Sequence, residues 1–281
     1  MLIDPTIEMA NRYAPGSDIV GALSIELTYR GPADYPYTAV CYVETTWADG
    51  SHTRGTGAMV GPNDVLTAGQ MLWDAEHGGS AVSVTVIPGY NDGAAPFGIY
   101  QGALFSYYPI DQNGDGLVTH QEAQWDVGII GLSSPVGNWT GTFGLETNSD
   151  PVTATLTGYP VGFDGDYGPR MMNDSIAVSV DDNFWTFDYA TAGPGRGDIL
   201  PGDLGAPLWL EGHGSIHNGN NGPYIVGVDS TYGWAADVTY SINQLMAWID
   251  GNDYLVPVEL VDQVNLIGHD SAIDAIHNLL G

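Results

Sequence analysis

From Tyr37 onward the chain is written in short alternating segments separated by turn residues, and that period of two limits what it can fold into more than any other feature. Thr38–Thr46 alternates, Asp49-Gly50 supplies a hairpin turn, and Thr53–Val60 returns. Asp-Gly suits such a turn because the tight connection needs left-handed backbone. Ala81–Pro88, Gly102–Tyr108, Ala154–Pro160, Ile176–Val180, Trp185–Tyr189 and Pro223–Ser230 repeat the strand pattern, and Leu23–Tyr29 adds one run inside an irregular lead-in, residues 1–36. Helical spacing is confined to the end. Ser241-Ile242-Asn243-Gln244 reads as a capping box, Ile242, Leu245, Met246 and Ile249 share one face, and Gly251 ends the helix. Within an extension over residues 251–281, Ser271 to Leu280 reads as a second, small helix. The expected fold class is all-β with a C-terminal helix.

Charge narrows the partners. The 281 residues carry 34 acidic side chains against five arginines and no lysine, a formal charge of -29. Nucleic acid and anionic membrane surfaces are thereby poor partners, no nucleic acid and no membrane insertion are expected, and cations are favoured. No apolar run is long enough to cross a membrane, and residues 1–20 lack a basic-then-apolar secretion pattern. A hydrophobic content of 43%, with 8 Trp and 16 Tyr, supplies a core and argues against disorder. Cys41 is the only cysteine, so no intrachain disulfide exists, and its apolar setting, Ala39-Val40-Cys41-Tyr42-Val43, reads as a buried thiol.

One motif carries chemistry without any comparison. Residues 111–122, Asp-Gln-Asn-Gly-Asp-Gly-Leu-Val-Thr-His-Gln-Glu, match the spacing of an EF-hand-type calcium loop. Asp111, Asn113 and Asp115 would offer side-chain oxygens and Leu117 its carbonyl. Thr119 would act directly or through water, Glu122 would close the cage, and Gly116 permits the sharp turn. The segment before the loop is strand-like, and the segment after it leaves room for two helical turns at most. A sensor needs two long helices whose angle can change, so the reading is a structural Ca2+ site. His213-Gly214-Ser215-Ile216-His217 lacks the three or four ligands of a zinc site and is read as a hairpin loop.

Three further segments carry a resemblance. Gly55-Thr56-Gly57 leads to Leu66-Thr67-Ala68-Gly69-Gln70; Asp126-Val127-Gly128-Ile129-Ile130 opens a buried strand; and Gly202-Asp203-Leu204-Gly205-Ala206-Pro207 forms a glycine-rich loop. In this order they resemble the base, acid and nucleophile segments of chymotrypsin-like serine peptidases, most of all the bacterial glutamyl endopeptidases. The resemblance covers about residues 37–250 and implies two antiparallel six-stranded β-barrels, about 37–135 and 150–240, with the site between them. It places Gln70 where the family has its histidine, Asp126 at the acid, Leu204 at the serine, and the backbone N–H groups of Gly202 and Leu204 at the oxyanion hole. Asp198 and Asp229 fall at the substrate pocket, where glutamyl endopeptidases have a histidine in place of Asp229.

A leucine has no lone pair with which to attack a carbonyl, and a carboxamide takes up no proton near neutral pH. Two of the three triad positions therefore lack their reagent, while Asp126 is expected to accept a hydrogen bond from the Gln70 amide. The function expected is a catalytically inactive, calcium-binding peptidase homologue working outside the cell as a peptide- or protein-binding module. An endopeptidase with other catalytic residues and a purely structural unit of a larger secreted protein are the alternatives.

Overall fold

The computed structural model describes residues 28–29, 34–147, 152–181, 186–188, 203–211, 222–231 and 234–256. Gly202, Asp198, the segment His213–His217 and the expected helix Ser271–Leu280 lie outside them, as does most of the lead-in. The strands run β1 (Thr28–Tyr29), β2 (Val40–Thr46), β3 (His52–Met59), β4 (Asp64–Thr67), β5 (Trp73–Asp74), β6 (Gly79–Ser80), β7 (Ser83–Pro88) and β8 (Tyr100–Tyr107). They continue with β9 (Gly128–Leu132), β10 (Gly144–Leu145), β11 (Val152–Gly158), β12 (Met172–Asp181), β13 (Thr186–Asp188), β14 (Pro207–Leu210), β15 (Tyr224–Thr231) and β16 (Trp234–Asp237). Among the described residues three α-helices accompany them: α1 (His120–Ala123), α2 (Gly137–Thr140) and α3 (Val238–Asn252).

The first barrel closes in the order β2-β3-β4-β9-β8-β7. In the second half β11 pairs with β12 and β14, β14 with β15, β15 with β16, β16 with β13, and β13 with β12, which returns the ring to its start. Closure gives every strand of each ring a hydrogen-bonded neighbour on both sides, which is how such barrels avoid exposed edges. The alternation read from the sequence corresponds to these strands with shifts of a residue or two at most ends, but β12 begins four residues before the expected Ile176, and of Leu23–Tyr29 only Thr28–Tyr29 is described. Residues 37–39 form a 3-10 turn before β2. Gly50 adopts φ 84° in the β2–β3 connection, the conformation for which a glycine was expected.

The segment between the barrels is more structured than its Pro and Gly content suggests. It folds into α2, and β10 then pairs in parallel with β15, joining it to the second sheet. β1 adds to the outside of β12. The main apolar core includes Val43, Met59, Leu66, Ile129 and Ile130 of the first barrel, Trp209, Ile225 and Val228 of the second, and Leu245 and Ile249 of α3. A smaller cluster, including Leu156, Ile176, Leu208 and Val226, fills the second barrel. Cys41 is buried, as read, and burial pushes its thiol well above the usual range.

The C-terminal helix starts earlier than the capping box at Ser241 indicated. Asp237 is its N-cap, accepting a hydrogen bond from the Thr239 N–H at 2.8 Å, and Ser241 lies buried within the helix. The reason is tertiary: Asp237 ends β16, so its carboxylate is already in place to take the orphan N–H where the strand turns into the helix. The far end is pinned to the first barrel, where the Asn252 amide donates to Asp64 at 2.8 Å and the Asn63 amide to the Asn252 carbonyl at 3.1 Å.

Candidate functional site

Gln70 leaves β4 on a 3-10 turn, Gly69–Met71, and Asp126 precedes β9, the neighbouring strand of the same barrel. Pairing of β4 with β9 brings the two side chains together. The Gln70 backbone N–H donates to Asp126 Oδ1 at 2.9 Å, and the side-chain Nε2 donates to Oδ2 at 2.5 Å. The same Nε2 also donates to the Ser230 carbonyl at 2.9 Å. Both N–H bonds of the amide are thereby spent, and this orientation of the carboxamide is the one that avoids pointing its oxygen at a carboxylate.

Ser230 on β15 completes the cluster by donating its hydroxyl to Asp126 Oδ2 at 2.7 Å. It was not among the residues the sequence singled out, since a serine at the end of an apolar strand carries no local mark of its partner. Asp126 is fully buried. Burial raises its carboxyl to about 6, the donors from Ser230 and Gln70 acting against this as the smaller influence.

Asp203–Ala206 crosses from the second barrel to the first. Leu204 is buried, and its carbonyl accepts the Thr56 N–H at 2.8 Å. Gly205 has φ +83° and packs so tightly on Thr56, Thr67 and Ala68 that a side chain there would collide with them. The turn is also stitched to β15: the Gly205 N–H donates to the Asp229 carbonyl and the Asp229 N–H to the Ala206 carbonyl, both at 2.9 Å. The base, acid and nucleophile segments thus converge at the junction of the barrels with Gln70, Asp126 and Leu204 on them. Of the two oxyanion-hole residues expected, Leu204 belongs to this turn and Gly202 lies outside the described residues.

Asp229 stands next to Ser230 and is fully buried; among the described residues no side chain donates to its carboxylate within hydrogen-bonding geometry. Burial and the nearby charges of Asp203 and Asp126 push its carboxyl far up, and the Ser230 backbone N–H offsets this only in part. Asp198, the other expected pocket residue, lies outside the described residues.

The loop 111–122 sits beside this junction. Asp111 has φ 50°, and Gly114 and Gly116 have φ 67° and 73°. The Asp111 carboxylate accepts the N–H groups of Asp115 and Gly116 at 3.2 and 2.8 Å, and Asp115 Oδ1 accepts that of Leu117 at 3.0 Å. Thr119 caps α1, and Glu122 Oε2 turns back onto the Thr119 N–H and hydroxyl at 2.9 and 2.7 Å. Asn113 Nδ2 donates to Asp115 Oδ2 at 2.7 Å. The carboxylates are therefore engaged locally, and among the described residues no three His, Cys, Asp or Glu side chains stand grouped for a metal. The loop is preceded by β8 and followed by the four residues of α1, not by paired long helices.

Aromatic contacts fasten the loop's surroundings to the second half of the chain. His120 stacks on Trp234 with centroids 4.5 Å apart and planes 8° from parallel. Trp125 meets Tyr108 at 5.0 Å and Tyr240 at 4.5 Å, and Tyr108 meets Trp248 at 5.2 Å. A recess of about 20 Å³, lined in part by Gln70, Asp74, Asp111 and Gly116, separates the loop from the Gln70 turn.

Comparison with known proteins agrees with this layout. Among solved structures, a Glu endopeptidase superposes with a TM-score of 0.59 at 20% identity, over 80% of this chain and 96% of its own. The protease Anisep from Arthrobacter nicotinovorans gives 0.57 at 19% identity, over 76% and 98%. The fold is that of the chymotrypsin-like serine peptidases. No family model matches the chain. In sequence, this chymotrypsin-like chain is 33% identical over 131 residues to a Bacillus subtilis (strain 168) protein named extracellular metalloprotease, covering 45% of this chain and 40% of that protein. It is 34% identical over 129 residues to the glutamyl endopeptidase of Bacillus licheniformis, covering 45% and 37%. The matches span less than half the length of these relatives.

Proposed function

We propose that the chain is a catalytically silent member of the chymotrypsin-like serine peptidase fold that binds a peptide or protein segment at the junction of its barrels. The observation that carries this reading is the state of Gln70. Its amide N–H bonds are committed to Asp126 and to Ser230, so it holds the acid in place and has no basic lone pair for a nucleophile. Leu204 supplies no nucleophile opposite it. Retention of the Asp203–Ala206 turn and its bonds to Asp229 supports a kept binding surface rather than a kept reaction.

Calcium belongs to the same proposal. The donors at 111, 113, 115, 119 and 122 are hard oxygens, which suit Ca2+, and the left-handed turns at Gly114 and Gly116 fit the loop's backbone path. Asp111, Asn113, Asp115, Leu117, Thr119 and Glu122 would hold the ion, with Glu122 giving up its cap on Thr119. The ion would neutralise a concentration of carboxylates and order the segment leading to Asp126. No described helix is long and apolar enough to cross a membrane. One relative is named as extracellular, and that, with a structural calcium site, supports work outside the cell.

Purified protein incubated with an internally quenched peptide library tests the first part. The expected result is no turnover above buffer, together with saturable binding of some library members. Turnover that survives serine- and metallopeptidase inhibitors and is lost in Asp126→Ala would sink the reading.

A further inference from the structure

We propose that the recess between the end of β8 and α1 binds a small organic cation of the alkylammonium class. It is separate from the junction of the barrels: Gln70, Asp126, Leu204 and Ser230 are not among the residues that line it.

The recess arises from the way the loop 111–122 is held. The chain leaves β8 through Tyr108, Pro109 and Ile110 and returns through α1, and the two flanks of the loop line a shared cavity of about 540 Å³. Sites for small molecules run to about 300–1,000 Å³, so the volume is of the right order. Glu122 and Trp125 form the returning side. The Trp125 N–H donates to the Glu122 carbonyl at 2.9 Å, a helical turn that sets these two side chains, three residues apart, on one side. Gln112 and Asn113 line the loop end.

The aromatic walls are fixed in place by other rings. Tyr108 meets Trp125 at 5.0 Å with planes 68° apart, and Trp248 at 5.2 Å; Trp125 also meets Tyr240 at 4.5 Å, again at 68°. A ring that contributes its edge to such a pair keeps its faces uncovered by that contact. The face of an aromatic ring is its negative side and attracts a cation, more strongly where water is displaced.

Charge selects the ligand. Glu122 is the one charged side chain among the lining residues, and the chain has no lysine that could reach in to neutralise it. Its Oε2 accepts from the Thr119 N–H and hydroxyl, but a carboxylate offers two oxygens and about four lone-pair sites, so this cap does not exhaust it. An anion entering the recess would meet that carboxylate within a chain of formal charge -29. A neutral apolar ligand would press hydrocarbon against the carboxylate and strip its water without compensation. An alkylammonium group answers both features: its methyl or methylene groups contact Pro109, Ile110 and the rings, and its charge faces Glu122 and the ring faces.

The experiment compares choline with 3,3-dimethylbutan-1-ol, its uncharged isostere of the same shape. Each is titrated calorimetrically into the protein in EDTA, so that no metal ion competes for Glu122. Salt is held at about 0.3 M, where general attraction to the acidic surface is screened. Choline is expected to bind saturably and at least about tenfold tighter than the alcohol. Glu122→Gln removes the charge and keeps an acceptor for the cap on Thr119. It is expected to weaken choline at least about fivefold and to leave the alcohol unchanged. Equal binding of choline and the alcohol by the wild-type protein overturns the proposal and needs no variant to interpret. A preference for choline that survives undiminished in Glu122→Gln also overturns it, since the cation would then lie elsewhere on the acidic surface.

Discussion

Gln70 donates both its backbone N–H and its side-chain amide to the carboxylate of Asp126, one to each oxygen. A histidine at this place could pass a proton between the acid and a nucleophile; the carboxamide can only hold the acid still. On the function proposed above, the pair would keep the architecture of a catalytic site without its proton traffic.

Restoring the reagents should restore some chemistry. Gln70→His and Leu204→Ser singly are expected to leave hydrolysis of an activated ester at the wild-type level, because nucleophile and base act as a unit. The double variant is expected to exceed either single variant by at least about 100-fold. Initial rates with p-nitrophenyl acetate, which needs no side-chain pocket, check this.

Asp126 should matter for stability without activity. Asp126→Ala leaves two Gln70 donors and the Ser230 hydroxyl facing a void in a dry site, at a cost of about 2–4 kcal/mol. Asp126→Asn should cost less, since one oxygen acceptor remains. Urea midpoints at constant m-value measure both; an unchanged midpoint in the alanine variant would mean that the cluster contributes nothing.

Calcium should raise the melting temperature. At about a hundredfold excess over its dissociation constant an ion that binds only the folded state adds about 2.7 kcal/mol, or on the order of 5 °C or more for a chain of this size. EDTA should reverse the rise, and Asp111→Ala with Glu122→Ala should abolish it. Because His120 and Trp125 are packed on Trp234 and Tyr240, the same addition should change tryptophan fluorescence. Identical melting with Ca2+ and with EDTA would remove the ion from the proposal.

Stability should fall as pH rises through the weakly acidic range. Burial lifts the Asp64 carboxyl to about 7, with the Asn252 amide opposing this, and one of its oxygens has no partner. A folded-state value above the unfolded one means that the folded chain binds more protons in between. The advantage is full below about pH 4 and is lost as pH climbs to about 7. Asp126, lifted to about 6, contributes with the same sign. Asp64→Asn should flatten the decline between pH 5 and 8 by on the order of 1–3 kcal/mol; a decline of unchanged slope would assign it to general repulsion among the acidic residues.

Much of this molecule is legible without its structure, for reasons that are local. Alternation marks strands because side chains of a strand point to opposite faces, and β2, β3 and β7 fall where Thr38–Thr46, Thr53–Val60 and Ala81–Pro88 indicated. The absence of a nucleophile at Leu204 and of a base at Gln70 is likewise a property of the side chains themselves. The helix start at Val238 was misplaced because its cap, Asp237, is supplied by the strand before it, whereas Ser241-Ile242-Asn243-Gln244 offered a local capping pattern that burial overrode.

What joins distant segments belongs to the tertiary structure. Ser230 reaches Asp126 only because the end of β15 in one barrel meets the segment before β9 in the other, and His120 meets Trp234 by the same docking. That Asp229 is fully buried results from the contacts of an entire ring of strands, not from any stretch of sequence. The sequence by itself determined which side chains stand at positions 70, 126 and 204 and what each can do chemically, because chemistry resides in single side chains. Only the closure of the barrels decided which remaining groups are buried and which donors meet them, because burial and hydrogen bonding are properties of segments brought together.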